Sequence, residues 1–191
     1  MTSETKLQKA MGIVMREQPF FASILFKLDK IADEEQKQLF RVGQGELRYS
    51  PSRIESMPVD TLVWGLCHEA LHVGFKHVPR FNRFKNDAMK NGDIRSAMVK
   101  NKIDDSILNR LIGFSADLAV NSIIENIGTP PDWAFVPGGQ DYCTPDGEVI
   151  IPLSKYKKGE SYDNYFFHIV QDYIDYEDKQ EDDNGHDDNS Q

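Results

Sequence analysis

Two stretches of the chain stay apolar around most of a helical circle, and each is broken by one polar stripe. The first runs from about residue 59 to 75. With His68 at 0° and about 100° per residue, His72 falls near 40° and Glu69 near 100°. Leu62, Val63, Trp64, Leu66, Cys67, Ala70, Leu71, Val73 and Phe75 fill most of the rest. A helix apolar nearly all round is a buried helix, and buried His and Glu need a partner. The second stretch runs from Ile107 to Asn126. With Asp117 at 0°, Asn121 falls near 40°, Arg110 near 20° and Gly113 near 320°, while the arc from about 200° to 300° is apolar. Asp117 and Asn121 thus stack one turn apart.

The remaining pattern predicts the other elements. Leu7, Ala10, Met11, Val14 and Met15 recur at helical spacing over residues 3–17, and Pro19 interrupts them. Phe20 to Leu28 form a second apolar run, a short helix or turn leading into a strand. Asp33-Glu34-Glu35 reads as a solvated loop. The runs 38–42 and 46–50 flank Gly43-Gln44-Gly45 and predict a hairpin. Pro51 closes it, and a loop follows. Pro58 and Asp60 suit the first turn of the motif helix, which Pro79 ends. Residues 79–105, basic and polar, read as an extended, exposed connection with some helix. This run is solvated surface or, less often, a steering patch for acidic ligands. Asp104, Asp105 and Ser106 offer caps for the second apolar helix. The Gly/Pro/aromatic stretch 128–160 is a long loop with one strand at Val149–Ile151, and Ser161 caps a last helix through Tyr173. After Tyr176 the apolar periodicity stops. The expected organisation is one domain over 1–176 and an acidic disordered tail or linker over 177–191.

Charge changes this picture little. The chain of 191 residues carries a formal charge of −9. Seven acids against one lysine after Tyr176 leave a net −6 there and only −3 on the body, so charge gives a nucleic-acid role no support. Two cysteines, Cys67 and Cys143, make no disulfide framework. The N-terminus lacks the basic-then-apolar run of a signal peptide, and no stretch approaches a membrane span. The expected setting is cytoplasmic, without nucleic acid or membrane as partner.

Chemistry enters with His68-Glu69-Ala70-Leu71-His72, the H-E-x-x-H spacing. Residues four apart share a helix face, so both imidazoles reach one metal, and Glu69 stands where it takes a proton from a bound water. A catalytic zinc takes three protein ligands and keeps one open position. His77, Asp117 and Glu125 are the candidates for the third. His77 follows one residue too early for the H-E-x-x-H-x-x-G-x-x-H pattern and points away on a continuous helix; only a helix ended at Gly74 would swing it round. Asp117 fits better, with Asn121 as the group that orients it or a histidine, and Asn121 and His77 as the alternative ligands; the plain alternative is a buried Asp117–Asn121 pair that links helices. Glu125 reads as surface.

These residues, His68-Glu69-x-Leu71-His72-x-x-x-x-His77 with Ala116-Asp117-x-x-x-Asn121, resemble the zincin-like metallopeptidase domain of bacteria and phages. Its members commonly precede a von Willebrand factor A-like domain. Pro19-Phe20-Phe21, the hairpin ending Tyr49-Ser50-Pro51, and Ser161, Tyr162 and Tyr165 extend the likeness over residues 19–173. The 79–105 connection is longer than that pattern. The resemblance implies an α+β, zincin-like, mostly helical fold. A small hairpin or sheet lies beside the H-E-x-x-H helix, with a second ligand-bearing helix. It also implies Zn2+ on His68, His72 and Asp117, and Glu69 as base.

The expected function is zinc-dependent hydrolysis of a peptide or protein substrate. Strand 46–50 would take an extended peptide by strand addition, and Tyr142, Tyr165 or His168 would stabilise the oxyanion. The rival is a catalytically silent, zinc-stabilised binding module working with a von Willebrand factor A-like domain or another protein partner.

Overall fold

The structure, a computed structural model, describes residues 1–100 and 102–184. It is α+β and mostly helical, and the chain divides into two compact units: residues 1–79 with 123–134, and residues 80–122 with 135 onward.

In the first unit, α1 (Ser3–Glu17) is capped by the Thr2 side chain, which accepts from the Thr5 amide. It buries Leu7, Ala10, Met11 and Val14. Met15, expected on the same face, is 56% exposed. Pro19 opens α2 (Pro19–Leu25), where a missing N–H costs nothing. Three strands follow: β1 (Asp29–Ala32), β2 (Phe40–Gly43) and β3 (Glu46–Tyr49). β2 and β3 form the predicted hairpin, with Val42 opposite Leu47. Its two-residue turn has positive φ at both Gln44 and Gly45, the geometry that matches strand twist. β1 adds parallel to β3, giving the order β1-β3-β2. Strand 46–50, expected to offer an edge to a peptide, is therefore the middle strand with both sides taken. The loop expected after Pro51 is instead a short helix, α3 (Pro51–Ser56).

The motif helix α4 (Val59–Gly74) is the centre of this unit. α1, α2 and β2 all pack on it, which is why its apolar residues run almost all round. Leu62, Leu66, Cys67 and Ala70 are fully buried; truncating a leucine here costs about 2–5 kcal/mol. Gly65 faces β2: a Cβ there would lie 2.9 Å from the Phe40 ring. Gly128, at φ +64, crosses the start of the helix, where a Cβ would meet the Asp60 carbonyl at 2.6 Å. The helix does not run to Pro79. It ends at Gly74, Lys76 takes a left-handed φ of 56°, and α5 (His77–Ala88) begins. Pro79 sits in the first turn of α5, where its absent N–H is harmless.

The second unit takes most of α5, then α6 (Gly92–Val99), α7 (Asp105–Ile124) up to Ser122, β4 (Tyr142–Cys143), β5 (Val149–Ile151) and α8 (Tyr162–Asn184). The 79–105 connection is thus mostly helical rather than extended; Asn91 caps α6 with bonds from the Asp93 and Ile94 amides. Asp104 Oδ1 caps α7, accepting from the Ile107 amide at 2.6 Å. Ser161 Oγ caps α8 through the Asn164 amide at 3.2 Å. The core of this unit gathers Ile94, Leu108, Ile112, Leu153, Tyr165 and Phe166.

Two expectations change here. α8 continues past Tyr176 to Asn184, so residues 177–184 are helix and not a disordered tail; residues 185–191 lie outside the described part. The anchor is Lys102, whose side chain is 5% exposed and pairs with Asp178 and, at 2.8 Å, with Glu181. α7 is long and apolar enough to cross a membrane by length and composition, against the expectation that no stretch is. More than half of its apolar window is buried within the protein.

Candidate metal centre

α4 delivers His68 and His72 on one face, one turn apart. Their Nε2 atoms are 2.9 Å apart and their ring centroids 4.6 Å apart. Two nitrogens on one tetrahedral zinc would stand about 3.3 Å apart, from bonds of about 2.0–2.1 Å. The two nitrogens, within hydrogen-bond distance of each other, therefore stand within about 0.4 Å of the separation that one shared ion requires. Both residues are half-buried, unlike the buried apolar positions from Leu62 to Cys67 before them.

The other nitrogen of His72 is held as well. Its Nδ1 lies 3.0 Å from Nδ1 of His77, which is 8% exposed. The early end of α4 and the left-handed Lys76 bring His77 back against His72 instead of letting it point away. His77 thus meets His72 from behind, at the nitrogen remote from His68. A ligand histidine is commonly fixed through its second nitrogen in this way, although a carboxylate or carbonyl is the usual partner.

Glu69, next to His68, reaches the sheet. Its Oε2 accepts from the Val42 amide at 3.1 Å. That amide sits on the edge strand β2, so main chain helps to aim the carboxylate. Sequence reasoning missed Val42, because a backbone N–H carries no side-chain signature; strand order was the missing information. Trp64, one turn before His68, stacks 5.1 Å from its ring. The Trp64 indole N–H is buried without a hydrogen-bond partner among the described residues, a burden of about 1–3 kcal/mol.

On α7, Asp117 is half-buried and Asn121 is buried. Asn121 Nδ2 donates to the Phe135 carbonyl at 2.7 Å, so this amide fastens the 128–160 loop. Glu125 lies just beyond α7. Among the described residues, one group of His, Cys, Asp and Glu side chains is placed to hold a metal ion: His68, His72 and Asp117, with one ligand atom of each within 4.8 Å of the others. Two imidazoles and a carboxylate form a donor set that zinc takes in hydrolytic sites. Cys67, although adjacent, lies outside it; burial pushes its thiol up to about 12 and keeps it protonated.

The oxyanion candidates fare differently. Tyr165 is fully buried and donates its hydroxyl to the Lys157 carbonyl at 2.7 Å. His168 stands 3.5 Å from Glu160, beside Tyr156. Tyr156 in turn donates to Asp172 at 2.6 Å, and burial followed by that bond raises its pKa far above the usual range. Tyr142 is 39% exposed and packs against Phe114 and Phe135.

Fold and donor set together define a candidate metal-binding α+β protein. The family model described as Putative metallopeptidase domain matches residues 2–136, and the chain belongs to that family. No curated protein and no solved structure matches the chain.

Proposed function

We propose that this protein is a zinc-dependent peptidase of zincin-like architecture, with His68, His72 and Asp117 as metal ligands and Glu69 as general base. The observation that carries the reading is the convergence of His68 and His72 Nε2 at 2.9 Å beside a carboxylate already oriented by main chain. Family membership supports the same class. Zinc bound there would supply Lewis-acid polarisation of the scissile carbonyl and acidify a water.

The chain's own residues do the rest. A carboxylate oxygen of Glu69 takes the water proton and returns it to the leaving nitrogen. The Val42 amide holds that carboxylate in register while the proton moves. His77 holds His72 by its far nitrogen, which fixes the tautomer and leaves the Nε2 lone pair directed forward. With β3 enclosed on both sides, an extended peptide would add to β2, the edge that Glu69 touches. The same placement accounts for Glu69 better than a silent module does, since a metal that only braces helices needs no carboxylate at that position.

Metal analysis of purified protein, followed by peptide cleavage by wild type and Glu69→Gln, tests this. One equivalent of zinc in both, with cleavage lost only from Glu69→Gln, is the expected result. Undiminished cleavage by Glu69→Gln would sink the mechanism.

A further inference from the structure

α7 leaves open space beside Asp117, at Gly113. Gly113 lies one turn before Asp117 and in the same stripe. A glycine inside a helix costs stability relative to alanine and is ordinarily retained because something packs against it. Among the described residues nothing does so here: a Cβ built on Gly113 would find no atom within 4 Å outside its chain neighbours and the helix's own backbone. Packing therefore does not require the glycine, and the cost it imposes on α7 is unrecovered in the folded chain.

Next to this open shelf stands an aromatic wall. Phe114, Phe135 and Tyr142 contact one another at centroid distances of 5.4, 5.6 and 5.5 Å. Their rings meet edge-on or tilted, and none of the three is buried. The wall is fixed from below: Phe114 is on α7 itself, and Asn121 holds the backbone of Phe135. A bare position at Gly113 and a partly exposed aromatic corner built on Phe114, the two α7 residues lying within about one turn of Asp117, form a receptor for an apolar group that arrives with the ligand.

We infer that Gly113, Phe114, Phe135 and Tyr142 form a specificity subsite that accepts a large apolar or aromatic side chain of the peptide substrate. Gly113 provides the room and the three rings provide the contact surface. This rests on the reading of Asp117 as a metal ligand and adds the substrate class to it.

The test uses full-length protein and hexapeptides that differ at one central position: Phe, Leu, Asp or Lys. Wild type should prefer Phe and Leu over Asp and Lys by about tenfold or more in kcat/KM. Gly113→Leu should raise Tm by about 2–4 °C, because a helix former replaces glycine. It should also raise KM for the Phe peptide about tenfold, with zinc content unchanged. Phe114→Ala and Tyr142→Ala should each erase most of the preference for Phe while sparing the Lys peptide. Binding of the same peptides to Glu69→Gln, read by fluorescence anisotropy, should follow the same order without turnover. Unchanged KM and preference in Gly113→Leu, or a wild-type preference for charged peptides, would overturn the subsite and leave the metal reading intact. Absence of zinc, or an Asp117→Ala variant that retains it fully, would overturn the metal reading and the subsite with it.

Discussion

His77 presents its Nδ1 to Nδ1 of His72 at 3.0 Å, on the opposite edge of the ring from the nitrogen that faces His68. On the proposed reading, with His72 as a ligand, this contact makes His77 a support for His72 rather than a ligand itself. His77→Ala is expected to bind one zinc still, with affinity lowered about tenfold to a hundredfold. His77→Gln, whose amide can accept from His72, should recover part of that loss. Chelator competition on the three proteins measures it; complete loss of zinc from both variants would instead make His77 a ligand.

The hairpin turn allows a stability prediction. Gln44 at φ 51° and Gly45 at φ 84° both occupy the left-handed region. Gly45→Ala should cost about 1 kcal/mol or more, and Gln44→Asn should gain a few tenths, because asparagine tolerates that region better. Urea melts of the two variants give both signs. A neutral Gly45→Ala would mean that the turn relaxes to another geometry.

Lys102 ties the acidic end of α8 to the second unit. Lys102→Met keeps the buried stem and removes both ion pairs. Asp178 and Glu181 are more than half exposed, so the global loss should be small, about 1 kcal/mol or less. Local opening should register more clearly: amide exchange over residues 177–184 should quicken about fivefold while Tyr165 to Val170 stay protected. Equal exchange in both proteins would show that the helix end holds without the lysine.

The two thiols should separate cleanly. Cys67 is fully buried, its pKa pushed up to about 12 by desolvation, and at pH 8 it remains a thiol out of reach. Cys143 is half-buried and donates to the Asp141 carbonyl. Folded protein at pH 8 should titrate one thiol with a disulfide reagent and a second only in denaturant. The sign in pH is fixed: below pH 9 the unfolded chain also keeps Cys67 protonated. Above pH 9 only the unfolded state ionises, so stability falls between pH 9 and about 12, by up to about 1.4 kcal/mol per pH unit. Two fast thiols in the native protein would contradict the burial of Cys67.

Much of this was legible in the chain because periodicity reports burial directly. α1, α4, α7 and the β2–β3 hairpin follow from spacing alone, and so does the apolar surround of His68 and His72. Other features depended on contacts that spacing does not encode. α5 and α6 were obscured because Arg80, Arg83 and Lys85 look like solvated loop until a partner surface gives the helix an inner face. The last turns of α8 were obscured for the converse reason: their contacts are to residues distant in sequence, Lys102, 76 residues away from Asp178, and Glu148, bonded by Gln180, and there is no local apolar pattern to announce them. The parallel pairing of β1, and the resulting enclosure of β3, required the order of strands in space. The position of His77 turned on one backbone angle at Lys76, which a helical wheel cannot contain.

That angle also bears on the order of events in folding. Because Lys76 returns the chain at once, His68, His72 and His77 come together within ten residues, and closing so short a loop costs little chain entropy. On the proposed reading, trapping of an ion by His68 and His72 would accompany formation of α4 itself, which rewards a helix that otherwise waits for α1, α2 and β2. The metal would serve first as a nucleus and only afterwards, once Asp117 is in place, as a reagent.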